Sequence, residues 1–165
     1  MRVSVLRFLA MVALAVWVGG LATLGLGAPA IFSALEAHDP ASGRTLGGIA
    51  FGAMFMRFEL LTLVLGLILI ALLVVRAAFG PTPRRVGGRI GTIAAMIVAS
   101  VVTAFVITPR IDRLRETTPG AIADLADSDA RKIEFGRLHG ASGALASATL
   151  LAGLGLVWME LQDGK

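Results

Sequence analysis

Six ionisable side chains in a largely apolar chain come in three pairs: Arg57 with Glu59, Arg110 with Asp112, and Arg137 with His139. Each pair stands at the edge of a long uncharged run, so the three are expected at one depth. Guanidinium groups there would clamp an anion, and an imidazole would ligate a metal or donate a hydrogen bond. Ser142 adds a hydroxyl one turn beyond His139. Two readings of this group stand side by side. In one, the charges form a structural ring of ion pairs that closes one end of a bundle, since arginine near hydrocarbon is tolerated when it snorkels or pairs. In the other, Arg57, Glu59, Arg110, Asp112, Arg137, His139 and Ser142 bind a small ligand, a metal complex or a lipid headgroup, with His139 the one metal-ligand candidate.

Other chemistry finds little support. Cysteine is absent, which removes disulfides, thiolate catalysis and iron–sulfur clusters. The sequence holds no nucleophile–base pair, phosphate loop or dinucleotide fingerprint, so no catalytic residue is assigned and the protein is read as non-enzymatic. His38 and His139 are its two histidines. Counted along their helices they fall about 16 Å apart, too far to share a haem. Met54 and Met56 suggest soft copper ligation, but residues two apart on a helix point to nearly opposite faces. Asp124, Asp127 and Asp129 lack the glycine and closing glutamate of a calcium loop. A haem- or copper-associated redox or transport protein remains the alternative, resting on His139 and the pattern of the first helix. A purely structural membrane subunit is the third reading.

These side chains need elements to hold them, and the charge map supplies the elements. Charged residues are 16% of the chain and hydrophobic ones 56%, with mean hydropathy +0.84. Stretches 8–35, 60–75, 90–109 and 140–159 carry no charge. Four such runs near the bilayer length of about 20 residues exclude a soluble enzyme and a nucleic-acid-binding domain. The expected fold is all-α, a single four-helix membrane bundle over 1–165 with helices at about 5–35, 45–78, 89–116 and 127–161. The first run exceeds the length of a signal h-region, so it is read as a retained membrane helix despite Ala28-Pro29-Ala30. Pro29 is expected to kink this helix. Gly80-Pro81-Thr82-Pro83 should stop the second, Thr118-Pro119 should start a short piece over 120–126, and Asp127 or Ser128 should cap the fourth.

Arg2, Arg7, Arg76, Arg84, Arg85, Arg89 and Lys165 share the side that holds both termini, against Glu160 and Asp163. The short loop with Arg84 and Arg85 directs both termini to the cytoplasm of a bacterial-type inner membrane. A span of about 20 residues then brings the helices out near Gly27, Arg57, Pro109 and His139, and all four should project beyond the outer surface. Helix association is expected from stripes of small residues: Ala15, Gly19, Thr23 and Gly27; Gly48, Gly52, Thr62 and Gly66; Gly87, Gly91, Ala95, Ala99 and Thr103; Gly136, Gly140, Ala144, Ala148 and Ala152. The lipid bilayer is the expected partner, along with a second copy or another membrane protein, and nucleic acid is not. With no ionisable group placed deep in the membrane, proton-coupled transport is disfavoured.

Four short motifs, Trp17-Val18-Gly19-Gly20 with Ala28-Pro29-Ala30-Ile31-Phe32, Phe51-Gly52-Ala53-Met54-Phe55, Thr108-Pro109-Arg110, and Phe135-Gly136-Arg137-Leu138-His139-Gly140-Ala141-Ser142, resemble a known family. It comprises small four-span membrane proteins of unknown function whose eukaryotic member is associated with cisplatin resistance. The resemblance covers nearly the whole chain and implies a four-helix membrane protein. It adds Pro29, Phe55, Pro109, Gly136 and Gly140 as structural positions of the characteristic region. Gly52 stands where the family often has proline, and Ala146 where it often has asparagine. No reaction is implied, and metal or platinum-drug handling attaches to eukaryotic members alone.

Overall fold

Residues 3–80 and 83–163 are described by a computed structural model. Arg2, Lys165, Pro81 and Thr82 lie outside the described residues. Helix α1 covers Val3–His38, α2 Gly43–Phe79, α3 Val86–Glu116 and α4 Ala130–Gln162. At 36, 37, 31 and 33 residues, each is about 46–56 Å long. All four exceed the roughly 30 Å of a hydrocarbon core. Neighbours in sequence are neighbours in space, and α4 closes the ring by packing against α1. The helices alternate in direction, so the start of α1, the end of α2, the start of α3 and the end of α4 share one end.

The inward face of α1 reads Leu6, Ala10, Leu14, Trp17, Leu21 and Leu24, the three-to-four spacing that one helix face requires. Trp17 is fully enclosed and packs with Leu69 and Leu73 of α2, Ile93 and Met96 of α3 and Leu156 of α4. Large side chains fill the axis, because a ring of four helices leaves a centre that small residues cannot fill. Most positions of the expected small-residue stripes on three helices therefore do not pack, although Thr103 is buried and Gly27, Ala99 and Ala152 are half-buried. Ala15, Gly19 and Thr23 face outward, as do Gly87, Gly91 and Ala95, and Gly136, Gly140, Ala144 and Ala148. A Cβ added at Gly19, Gly87, Gly91, Gly136 or Gly140 would meet nothing within 4 Å. On α2 the stripe does pack. A Cβ on Gly66 would press on Ile97 Cγ1 at 2.5 Å and on the Trp17 ring at 3.3 Å.

Helix α1 runs on through Pro29 to His38. Pro109 acts differently. It has no N–H, and its ring crowds the carbonyl four residues back. The turn before it, Thr103–Ile107, is widened to a π-helix, a common response to such an insertion. The N–H of Thr108 reaches Thr103 O, five residues back, which leaves the carbonyl of Ala104 without its usual donor.

The link from α3 to α4 holds a 3₁₀ turn at Ile122–Asp124 rather than a longer helical piece. Thr118 gives its hydroxyl to Leu114 O at 2.6 Å instead of capping that turn. Asp129, not Asp127 or Ser128, caps α4. Its carboxylate accepts from the backbone N–H of Arg131 at 2.9 Å and from the Arg131 guanidinium at 2.8 Å. Those bonds hold the Asp129 carboxyl down at about 2, against an ordinary 3.8.

Gly153→Leu should lower thermal stability by about 1–3 kcal/mol through overpacking, since a Cβ there already meets Val18 Cγ2 at 2.6 Å. Gly140→Leu should leave stability within about 1 kcal/mol or raise it, because helix propensity improves; equal losses in both variants would contradict this packing. The depressed carboxyl of Asp129 contributes a cap that is complete above pH 3.8 and lost as pH falls towards about 2. Protection of the Arg131 amide, taken as its exchange rate relative to the intrinsic rate at each pH, should fall across that window and be absent at every pH in Asp129→Ala.

Candidate functional site

Three levels of polar groups cross the bundle. At the end that gathers the termini, Arg76 of α2 donates to Glu160 of α4 at 2.8 Å, to both carboxylate oxygens. Arg89 of α3 meets Glu160 Oε1 at 2.5 Å and Asp163 Oδ2 at 2.8 Å. Arg7 of α1 donates to the backbone carbonyl of Glu160 at 2.9 Å. Arg76, Arg89 and Glu160 are buried at 3%, 2% and 6% exposure. One glutamate thus draws together a residue from each of the other three helices. Sequence reasoning used these residues for topology alone. The available signal was Glu160 itself, an acid closing a charge-free run and facing arginines on the same side.

Because Arg76, Arg89 and Glu160 touch, they form a common datum for measuring up three helices. Arg57 then lies about 28 Å above it, Arg110 about 31 Å and Arg137 about 34 Å, at 1.5 Å per residue. The interval matches the hydrocarbon thickness. Between the two levels the large outward side chains are apolar, among them Leu60, Val64, Leu67, Val74, Val98, Val101 and Leu154.

At the upper level Arg57, Arg110, Arg137 and His139 are all exposed. Among the described residues none of the three arginines makes an ion pair, so a closed ring of salt bridges is not formed. Asp112 pairs instead with Arg115 at 3.6 Å. His139 stacks on Phe135, with centroids 5.9 Å apart and rings 6° from parallel. Ser142 is half-buried. Phe55 stacks on Phe51 at 6.1 Å, while Pro29 faces outward and Pro109 is half-buried. No group of three His, Cys, Asp or Glu side chains is placed to hold a metal among the described residues.

Arg115 is the arginine that sequence reasoning passed over. It donates to Gly48 O at 3.1 Å and lies over the Phe135 ring at 5.8 Å, joining α2, α3 and α4. Gly48 and Gly52 give it room, since a Cβ on either would stand 3.1 or 3.3 Å from the guanidinium.

Glu59 is the residue that departs furthest from expectation. It is 4% exposed, turned into the bundle and away from Arg57, about 25 Å above the datum. Thr62 Oγ1 lies 3.5 Å from Glu59 Oε2 and 2.9 Å from Ser100 Oγ. Thr103 and Thr149 line the same space. A buried carboxylate therefore does stand between the spans, contrary to its expected place on the rim.

An all-α bundle of four long apolar helices, with no exposed charge between its two levels of arginines and polar groups enclosed between them, defines a small four-span integral membrane protein. Residues 12–119 match the family described as Domain of unknown function (DUF4149), and the chain belongs to that family. No curated protein and no solved structure matches it.

Replacing Glu160 with Leu leaves the buried Arg76 and Arg89 guanidinium groups only Asp163 to share and should destabilise the protein by about 3–5 kcal/mol in detergent. The quadruple variant Arg76→Met, Arg89→Met, Glu160→Leu, Asp163→Asn should recover most of that loss, because no buried charge is then left unpaired. A quadruple variant as unstable as the single one would contradict this account.

Proposed function

We propose that this is a non-enzymatic protein of a bacterial-type inner membrane, both termini cytoplasmic, whose outer rim binds anionic groups. Arg57, Arg110 and Arg137 supply the positive charge, and His139 and Ser142 lie beside them as hydrogen-bonding groups. One observation carries the reading. Buried arginines at the terminal end are matched by carboxylates at 2.5–2.8 Å, whereas the three rim arginines are exposed and meet no carboxylate among the described residues. Guanidinium groups are suited to phosphate oxygens, which they contact through paired N–H donors. Their spread over three helices favours lipid headgroups over one compact ligand. Asp112, neutralised by Arg115, and the inward Glu59 do not oppose this charge.

The orientation rests on Arg84 and Arg85, which flank the short loop and are both exposed; short basic loops remain in the cytoplasm. The haem or copper alternative depends on His139. A Soret band or stoichiometric copper in the purified protein, lost in His139→Ala, would replace the present reading.

The test compares nanodiscs of neutral phosphatidylcholine with nanodiscs containing phosphatidylglycerol. The anionic lipid should raise thermal stability by about 1 kcal/mol for each rim arginine engaged. The triple variant Arg57→Gln, Arg110→Gln, Arg137→Gln should abolish that increment. No response to anionic lipid in the parent protein, or an equal response in the variant, would overturn the proposal.

A further inference from the structure

We propose that Glu59 and the hydroxyl groups around it form an internal site for one bare monovalent cation, of which Na⁺ is the case to test. The Glu59 carboxylate is buried, and among the described residues no Lys, Arg or His pairs with it. An ionised carboxylate enclosed between apolar helices needs a positive charge at close range.

The donors around it are all oxygen. Thr62 comes from α2, Ser100 and Thr103 from α3, and Thr149 from α4, each buried at 6% exposure or less. Thr62 gives its hydroxyl to the backbone carbonyl of Glu59 at 2.7 Å, which leaves its oxygen lone pairs facing Ser100 Oγ at 2.9 Å and the carboxylate at 3.5 Å. Thr103 also opens the π-helical turn, whose widened geometry leaves the buried Ala104 without the usual donor to its carbonyl. Oxygen-only donors select a hard cation. A single carboxylate is neutralised by a single charge, whereas a divalent ion would leave net charge within the bundle. Size narrows the choice further. The space among these side chains does not admit a water molecule, which leaves no room for a hydrated ion or an organic ligand. The other walls, Leu21 of α1, Ala99 of α3 and Leu145 and Ala146 of α4, carry no titratable group, so Glu59 is the one residue there whose charge changes with pH.

The experiment uses the full-length protein in detergent at pH 7.5, with NaCl replacing choline chloride at constant ionic strength. Na⁺ should raise the melting temperature saturably, by about 5–10 °C at a hundred times the dissociation constant. Li⁺ should substitute for it, and K⁺ should do so poorly. Glu59→Gln should abolish the rise, and Thr149→Val should move its midpoint to at least tenfold higher Na⁺. If Glu59→Gln does not fold, Ser100→Ala and Thr149→Val decide, and an unchanged Na⁺ midpoint in both overturns the site. Equal melting in Na⁺ and choline overturns it too, and so does a Na⁺ response that survives in Glu59→Gln. Stabilisation by acid to pH 5 with no dependence on Na⁺ would also overturn it, and would identify Glu59 as a protonated structural acid.

Discussion

Everything above the terminal end of this bundle is set by one buried contact, the grip of Glu160 on Arg76, Arg89 and Arg7. Burying charges between helices carries a large desolvation penalty, and well-paired ions do little more than offset it. What the contact supplies is register. A carboxylate from α4 that must satisfy arginines from α2 and α3 at once fixes the height of those helices against one another. Apolar packing around Trp17 carries no such directional demand, whereas a slipped Glu160 would break the paired contacts to Arg76 and Arg89 that Asp163 alone cannot replace.

That register puts the remaining polar groups in order. With the ionic layer near one membrane face, the exposed arginines of three helices fall near the other. The roughly 30 Å between them presents leucine, valine and phenylalanine to lipid. The buried polar side chains inside this interval concentrate around Glu59, where α2, α3 and α4 each contribute a hydroxyl. Proline at position 109 has a structural part in this arrangement. By widening the turn before it, it reshapes the backbone of α3 at the level where Thr103 faces the carboxylate. The distal stretches, where Arg115 lies along Gly48 and over Phe135, are held by polar and aromatic contacts rather than by the apolar axis.

Helix number, extent and the depth of the rim arginines were legible in the sequence, because uncharged runs of bilayer length have few other uses. The facing of individual side chains was legible only in part. Met54 and Met56 were separated by the rule that residues two apart point to opposite sides. The same spacing separates Arg57 from the inward Glu59, but it leaves both members exposed in Arg110/Asp112 and Arg137/His139, so spacing alone did not show which pair would turn a residue inward. The glycine and alanine stripes misled for a different reason. Small residues permit close approach without requiring it, and a four-helix ring needs bulk at its centre, so most of the stripe residues of α1, α3 and α4 turned outward. The Glu160 contact was hidden because it joins residues far apart in sequence that share only a depth. The π-helical turn had a visible cause in Pro109, although neither its length nor its neighbour Glu59 could be read from the proline alone.

The central claim is that hydrocarbon lies between the Glu160 layer and the level of Arg57, with Glu59 enclosed inside it. A chain without cysteine allows direct measurement by single nitroxide labels at outward positions of α2 in lipid bilayers. Oxygen accessibility should be greatest at Val64, Leu67 and Ala71. Accessibility to a water-soluble nickel complex should rise towards Met54 at one end and Phe79 at the other. Nickel access at Leu60 through Leu67, or an oxygen maximum beyond Arg57, would contradict the account.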